Sequence, residues 1–294
     1  MLNKIPVMFI VVAFSAQAHA QTGNAYTNEI DNWHKQREEN LKNENGWLNL
    51  VGLIWLQQGK QSFGDGDDVQ IKFPAGTITH HAGFFELKNY TVTLYADDST
   101  NILVNGNPVK QAIIFSPDSL KPINCSYGTL RWTIIKRDDK IGIRLRDVNS
   151  ELVKNFKGIE RFAVDSAYKV KAWLKKPETS FISITNILGQ TNKEETAGKL
   201  VFTLQGKEYS LDALQEGKAL FIVFADATSG KETYPSGRFL TASLPGADGS
   251  TILDFNKAYN PPCAFTPYAT CPLPPEQNRL KVAIPAGEKN YKRH

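Results

Sequence analysis

Leu130-Arg-Trp-Thr-Ile-Ile135 and Ile141-Gly-Ile-Arg-Leu-Arg146, separated by Arg137-Asp-Asp-Lys140, decide the fold class. Two short runs rich in branched and aromatic residues, on either side of polar turn material, predict strands. The same punctuation recurs outward. On the N-terminal side the candidate strands are Val69 to Phe73, Gly83 to Leu87, Thr91 to Tyr95, Ile102 to Val104 and Lys110 to Phe115, with Gly64-Asp-Gly-Asp67, Asp97-Asp98 and Asn105-Gly106 as turns. On the C-terminal side they are Val170 to Leu174, Phe181 to Thr185, Lys199 to Leu204, Lys207 to Ser210, Ala219 to Phe224, Arg238 to Leu244 and Thr251 to Phe255, and Gln205-Gly206 supports a hairpin. Asp212-Ala-Leu-Gln-Glu216 reads as one short helical turn. Many short strands at this spacing predict sandwiches or barrels.

Upstream the period changes. Ile30, Trp33, Arg37 and Leu41 recur at helical spacing between Asn28 and Asn45, with charged residues between them and Gly46 as a stop, which predicts one amphipathic helix. Trp47-Leu-Asn-Leu-Val-Gly-Leu-Ile-Trp-Leu56 follows as a strand or buried connector. The expected fold is therefore mainly β: two sandwich- or barrel-like β modules preceded by one N-terminal amphipathic helix. The divisions are 1–20, a signal peptide; 21–60, helix and connector; 61–155, the first module; and 156–294, the second, reached through a linker-like passage from Phe156 to Tyr168.

The export segment rests on Lys4, the apolar run Val7 to Phe14 and the small-x-small pattern Ala18-His-Ala20. That run falls short of the roughly 20 apolar residues a membrane span needs. A periplasmic or secreted protein with no membrane span is expected. Hydrophobic residues are 41% and charged residues 22% of the chain, which places it in the globular rather than the disordered class. A formal net charge of +4, partly from Lys4 and the basic tail, gives no nucleic-acid footprint.

Six prolines between Pro261 and Pro275 remove six backbone donors and fix as many φ angles, so Leu253 to Leu280 contains a stiff, shaped loop. Cys263 and Cys271 lie within it, and Cys125 stands apart. In an exported chain the nearby pair reads as a disulfide, with buried thiols or a site role as the other readings. No metal site is expected, because neither Cys-x-x-Cys nor spaced histidines accompany them. His80-His81 reads as a solvated turn, and neither a Gly-x-Ser-x-Gly elbow nor a phosphate loop occurs, so no cofactor is expected.

The candidate site is polar. Ala225 to Phe239 follows an apolar strand and delivers Asp226, Thr233, Tyr234 and Arg238 to one sheet end, where the planar fork of Arg238 suits a carboxylate or phosphate. Tyr234, Arg238, Asn256, Tyr259, Asn260 and Cys263 are the expected ligand-binding residues. Asp226, Asp254 and Glu288 are the candidate acids or bases, and Cys263 and Cys271 the candidate disulfide.

Two resemblances follow. Val104-Asn-Gly106 and Gly128-Thr-Leu-Arg-Trp132 weakly resemble a forkhead-associated sandwich; the Gly-Arg pair and the Ser with a spaced His that bind phosphothreonine there are not evident, and that binding is not carried over. Gly46 to Leu56, Thr233-Tyr-Pro-Ser-Gly-Arg-Phe-Leu240, Asp254 to Phe265, Cys271-Pro-Leu-Pro-Pro275 and Ala286-Gly-Glu-Lys289 together resemble the bacterial domain-of-unknown-function family 1684. That resemblance implies no activity, and it implies packing or a site role for Cys263 and Cys271. The expected function is binding of a small polar or anionic ligand beside the proline-rich loop. The alternatives are a carboxylate-dependent hydrolase of a glycoside or ester and a structural envelope module.

Overall fold

The computed structural model describes the backbone of residues 13–118, 121–177 and 179–291, with side chains from residue 25 onward. Residues 1–12 and the side chains through residue 24 lie outside the described residues, and with them the expected export segment. One long helix, α1 (Ala13–Lys42), opens the described chain. The first group of strands is β1 (Leu50–Trp55), β2 (Gly59–Gly64), β3 (Ile71–Lys72), β4 (Gly83–Lys88), β5 (Thr91–Ala96), β6 (Leu103–Val104), β7 (Asn107–Pro108), β8 (Gln111–Phe115), β9 (Cys125–Tyr127), β10 (Leu130–Arg137) and β11 (Lys140–Asp147). After α2 (Glu151–Lys154) come β12 (Lys169–Lys175), β13 (Phe181–Thr185), β14 (Thr191–Leu204), β15 (Lys207–Glu216), β16 (Ala219–Phe224), β17 (Arg238–Ser243) and β18 (Ser250–Asp254).

The first group forms two sheets, ordered β1-β11-β10-β9-β6-β7 and β3-β2-β4-β5-β8. Alternation explains the pairing. Trp132 and Ile134 of β10 and Ile143 and Leu145 of β11 face Phe63, Phe85 and Leu94 of the other sheet, and together they make one apolar core. The second group forms one sheet, ordered β17-β16-β15-β14-β12-β18, whose end strands lie against each other, so it curls nearly into a closed barrel. Its core is built on Leu200, Phe202, Leu211, Leu220, Ile222 and Leu253. Gln205 and Gly206 both take positive φ, 51° and 75°, the tight hairpin expected between β14 and β15.

The helix register is as expected. Ile30 and Leu41 are buried, and Leu41 packs with Leu48, Ile159 and Phe265 in a third cluster between the modules. One reading is corrected. Asp212 to Glu216 is not a helical turn but the second half of β15, where Leu211 and Ala213 alternate into the core. The linker-like passage from Phe156 to Tyr168 is tied down: Ile159 N–H donates to Glu38, Phe162 N–H donates to the Gly287 carbonyl, and the backbones of Arg161 and Glu288 pair as an isolated antiparallel β-bridge. The run after Gly46 takes its strand reading, as β1, an end strand of the first sheet. β2 and β9 went unread because Gly59-Lys-Gln-Ser-Phe-Gly64 and Cys125-Ser-Tyr127 are too polar or too short to carry a period.

Candidate functional site

The expected site residues fall into three groups. Arg238, at the start of β17, is fully buried and engaged by the chain itself. Its Nη1 donates to the carbonyls of Ala286 and Glu288, and its Nη2 donates to the carbonyl of Ile284 at 3.0 Å and to Asp226 at 3.4 Å. Burial pushes this guanidinium below its ordinary pKa, and Asp226 pulls it back. Asp226 also accepts from the Thr228 hydroxyl at 2.9 Å and from Ile284 N–H at 2.6 Å. Glu288, 1% exposed, accepts from Arg37 Nε of α1 at 2.6 Å and from Asn260 N–H at 2.7 Å. Gly287, at φ 78°, allows this approach, because a Cβ there would lie 2.4 Å from the Ala258 carbonyl. Tyr259 joins the group beneath the Arg37 guanidinium, 4.4 Å from its ring centroid.

Asp254 and Asn256 form a second group with Tyr26 of α1. The Tyr26 hydroxyl donates to Asp254 at 2.8 Å, and Asn256 bridges Asp165 and Asp254. Burial and this carboxylate together raise the Tyr26 phenol above its ordinary pKa. Tyr234 lies in the third, apolar group with Phe265 and Leu41. Cys263 is joined to Cys271 by a disulfide, with Cα atoms 6.2 Å apart, so the packing or site role implied by the family resemblance gives way to the bridge.

The proline block is a strap between modules. Thr266 Oγ1 donates to the Leu50 carbonyl of β1 at 2.9 Å, Leu273 N–H to the Thr185 carbonyl of β13, and the Asn278 side chain spans Asp212 and Val223. Most polar atoms of these groups are spent on chain partners; Arg238 Nε, Asp254 Oδ2 and Asn260 Oδ1 are buried without one. The ligand role expected for Arg238 and Asn260, both fully buried, has no open face here.

Open polar space lies elsewhere, at the end of the first sheet. A pocket of about 460 Å³ is lined by Arg131 and Thr133 of β10, Arg146 of β11, Ser126 of β9, Glu44 and Asn124 among others. In the ladder Arg131 stands directly opposite Arg146, and Thr133 opposite Arg144, on the face turned away from the apolar core. Like charges directly opposite on one face destabilise a sheet, so this arrangement is expensive. Arg131 is paired with Glu44. Arg146 is only 9% exposed, yet its Nε has no partner; the Nε of Arg144 has none either, and the Arg144 guanidinium lies 5.5 Å from the Trp47 ring. Burial and the neighbouring Arg146 and Arg137 push Arg144 down to about 10, and burial alone pushes Arg146 down, with no carboxylate opposing either shift. Cys125, also in the wall, is held protonated, its thiol pushed up to about 12 by burial, so it is no thiolate nucleophile.

Sequence reasoning missed these arginines because it looked for polar side chains on loops. The signal was present: Arg144 and Arg146 alternate with Ile143 and Leu145 across a turn from Arg131, so three cations were bound to share one face. Among the described residues no group of three or more His, Cys, Asp or Glu stands together as a metal site, and no helix is long and apolar enough to cross a membrane.

No curated protein matches this chain. Among solved structures, an uncharacterised protein of Haloarcula marismortui determined by solution NMR is 34% identical, with 46% of this chain and 78% of that chain covered and a TM-score of 0.39. An FHA domain described for phosphothreonine-dependent interactions is 18% identical, with 32% and 92% covered and a TM-score of 0.23. The FhaA FHA domain is 15% identical, with 32% and 97% covered and the same score. The family model described as protein of unknown function, DUF1684, matches residues 154–289. The chain belongs to the DUF1684 family.

Proposed function

We propose that this is an exported protein that binds a small anionic ligand, held by Arg146 and Arg131 at the end of the first sheet. One observation carries the reading: the guanidinium of Arg146, in the pocket wall, is withdrawn from water with its Nε unpartnered and no carboxylate to match it. An unmatched buried charge costs several kcal/mol, roughly, even after relaxation, and an anion in the pocket offsets that cost with charge-assisted hydrogen bonds. The pocket wall holds no residue of the proline-rich loop, so the proposed site departs from the expected neighbourhood as well as from the expected anchor, Arg238. Export is supported by the N-terminal segment and by the Cys263–Cys271 disulfide, which suits an oxidising compartment.

The hydrolase reading is less well supported, because Asp226 and Glu288 in the Arg238 group and Asp254 in the Tyr26 group are each engaged by donors of the chain. A thermal-shift series with phosphate, sulfate, citrate and acetate tests the proposal. The native chain should gain several degrees in at least one of these anions, and Arg146→Gln should gain none. Equal shifts in both proteins, or none in either, would remove the site.

A further inference from the structure

The charges lining the pocket leave one cation unmatched. Arg131 and Glu44 form an ion pair in the wall, Cys125 stays a protonated thiol, and among the described residues the remaining charge there is the buried guanidinium of Arg146, whose Nε has no partner. Most of the other lining side chains are neutral and polar: Asn45, Asn105, Asn124, Ser126 and Thr133. The backbone sets two of them. Asn105 N–H donates to the Asn124 carbonyl at 2.8 Å, and Asn124 N–H donates to Asn105 Oδ1 at 3.1 Å, which leaves the Asn105 NH2 as a donor. Ser126 of β9, Arg131 of β10 and Arg146 of β11 stand in one row across the ladder, so two strand spacings, roughly 10 Å, separate the Cα atoms of Ser126 and Arg146.

We infer that the ligand is a hydroxylated monocarboxylate of the sugar-acid class; this rests on the anion site proposed above. One carboxylate accepts two parallel hydrogen bonds from the planar fork of Arg146 and cancels its charge. A dianion needs a second cation, and Arg131 is held by Glu44, whose carboxylate would then face the added charge. Hydroxyl groups both donate and accept, so they suit the amides and hydroxyls of the wall, which an apolar tail would strand. With its carboxylate on Arg146, a molecule of about six carbons reaches Ser126 across the row. The pocket volume of about 460 Å³ lies in the range of small-molecule sites and holds such a ligand.

Isothermal titration of the purified chain with glucuronate, gluconate, acetate, glucose and sulfate at pH 7.5 tests the inference. At least one of the sugar acids should bind one per chain, about tenfold or more tighter than acetate, which lacks the hydroxyls, glucose, which lacks the charge, and sulfate, which carries a charge too many. Ser126→Ala should weaken that sugar acid about threefold or more and leave acetate as it was. Acetate or sulfate binding as tightly as both sugar acids, or native affinity for them in Ser126→Ala, overturns the sugar-acid inference and leaves the anion site standing. Failure of every anion to bind, glucose binding as tightly as the sugar acids, or unaltered sugar-acid binding by Arg146→Gln removes the anion site itself. Should Arg146→Gln not fold, Arg146→Lys, which keeps the charge and loses the fork, carries the comparison.

Discussion

Two arginines of this chain illustrate opposite uses of a buried guanidinium. Arg238 has Asp226 and three backbone carbonyls around it, so its charge is matched and its donors are satisfied apart from Nε. Arg146 is nearly as buried and has no such partners. Their truncations should therefore differ in sign. Arg238→Ala strands the Ile284 and Ala286 carbonyls and removes the cation from Asp226, and should lower stability by about 3 kcal/mol. Arg146→Gln in anion-free buffer removes an unmatched charge and should leave stability unchanged or raise it by about 1 kcal/mol. Urea unfolding of both variants measures this directly; equal destabilisation by the two would mean that Arg146 holds the fold as Arg238 does. Before the structure, Arg238 was the legible residue because it stands beside a polar loop and a Tyr-Pro-Ser-Gly turn. Nothing in that string reveals that Ala286 to Glu288 returns, nearly fifty residues later, to cap the same guanidinium.

At the scale of elements, periodicity carried most of the information and turn chemistry the rest. α1 was readable from Ile30, Trp33, Arg37 and Leu41, because a 3.6-residue period survives whatever the helix packs on. β10 and β11 were readable from their apolar alternation. β9 and β2 were not, since what makes them strands is the ladder offered by β10 and β4 rather than their own residues. Asp212 to Glu216 misread for a related reason: the run has good helix formers, and its strand state is imposed by pairing with both β14 and β16. The proline strap was recognisable as stiff, though its contacts with β1 and β13 were not. Its disulfide closes a short loop, and removing it by Cys263→Ser should cost about 2.5 kcal/mol on the chain-entropy estimate. Thiol counting on purified, denatured, unreduced protein should find one reactive group per chain, that of Cys125. Three would contradict the bridge.

In the whole molecule, the strap, α1 and the C-terminal segment join two β modules into one assembly. Arg37 of α1 reaches Glu288 and the Asn260 carbonyl, Thr266 reaches β1, and Trp47 lies between the apolar clusters of Phe265 and Cys271. These contacts close off the polar groups that the sequence had marked as a site. They also bring Trp47 and Glu44, just beyond the end of α1, over the arginine face of the first sheet. We propose that this face, and not the Arg238 cluster, is where a small anion binds. Anomalous diffraction from crystals soaked in selenate, a heavy tetrahedral anion, separates the two. One strong peak is expected within hydrogen-bonding distance of the Arg146 guanidinium, absent from Arg146→Gln crystals. A principal peak beside Arg238 or Asn260, or peaks confined to surface lysines, would contradict it.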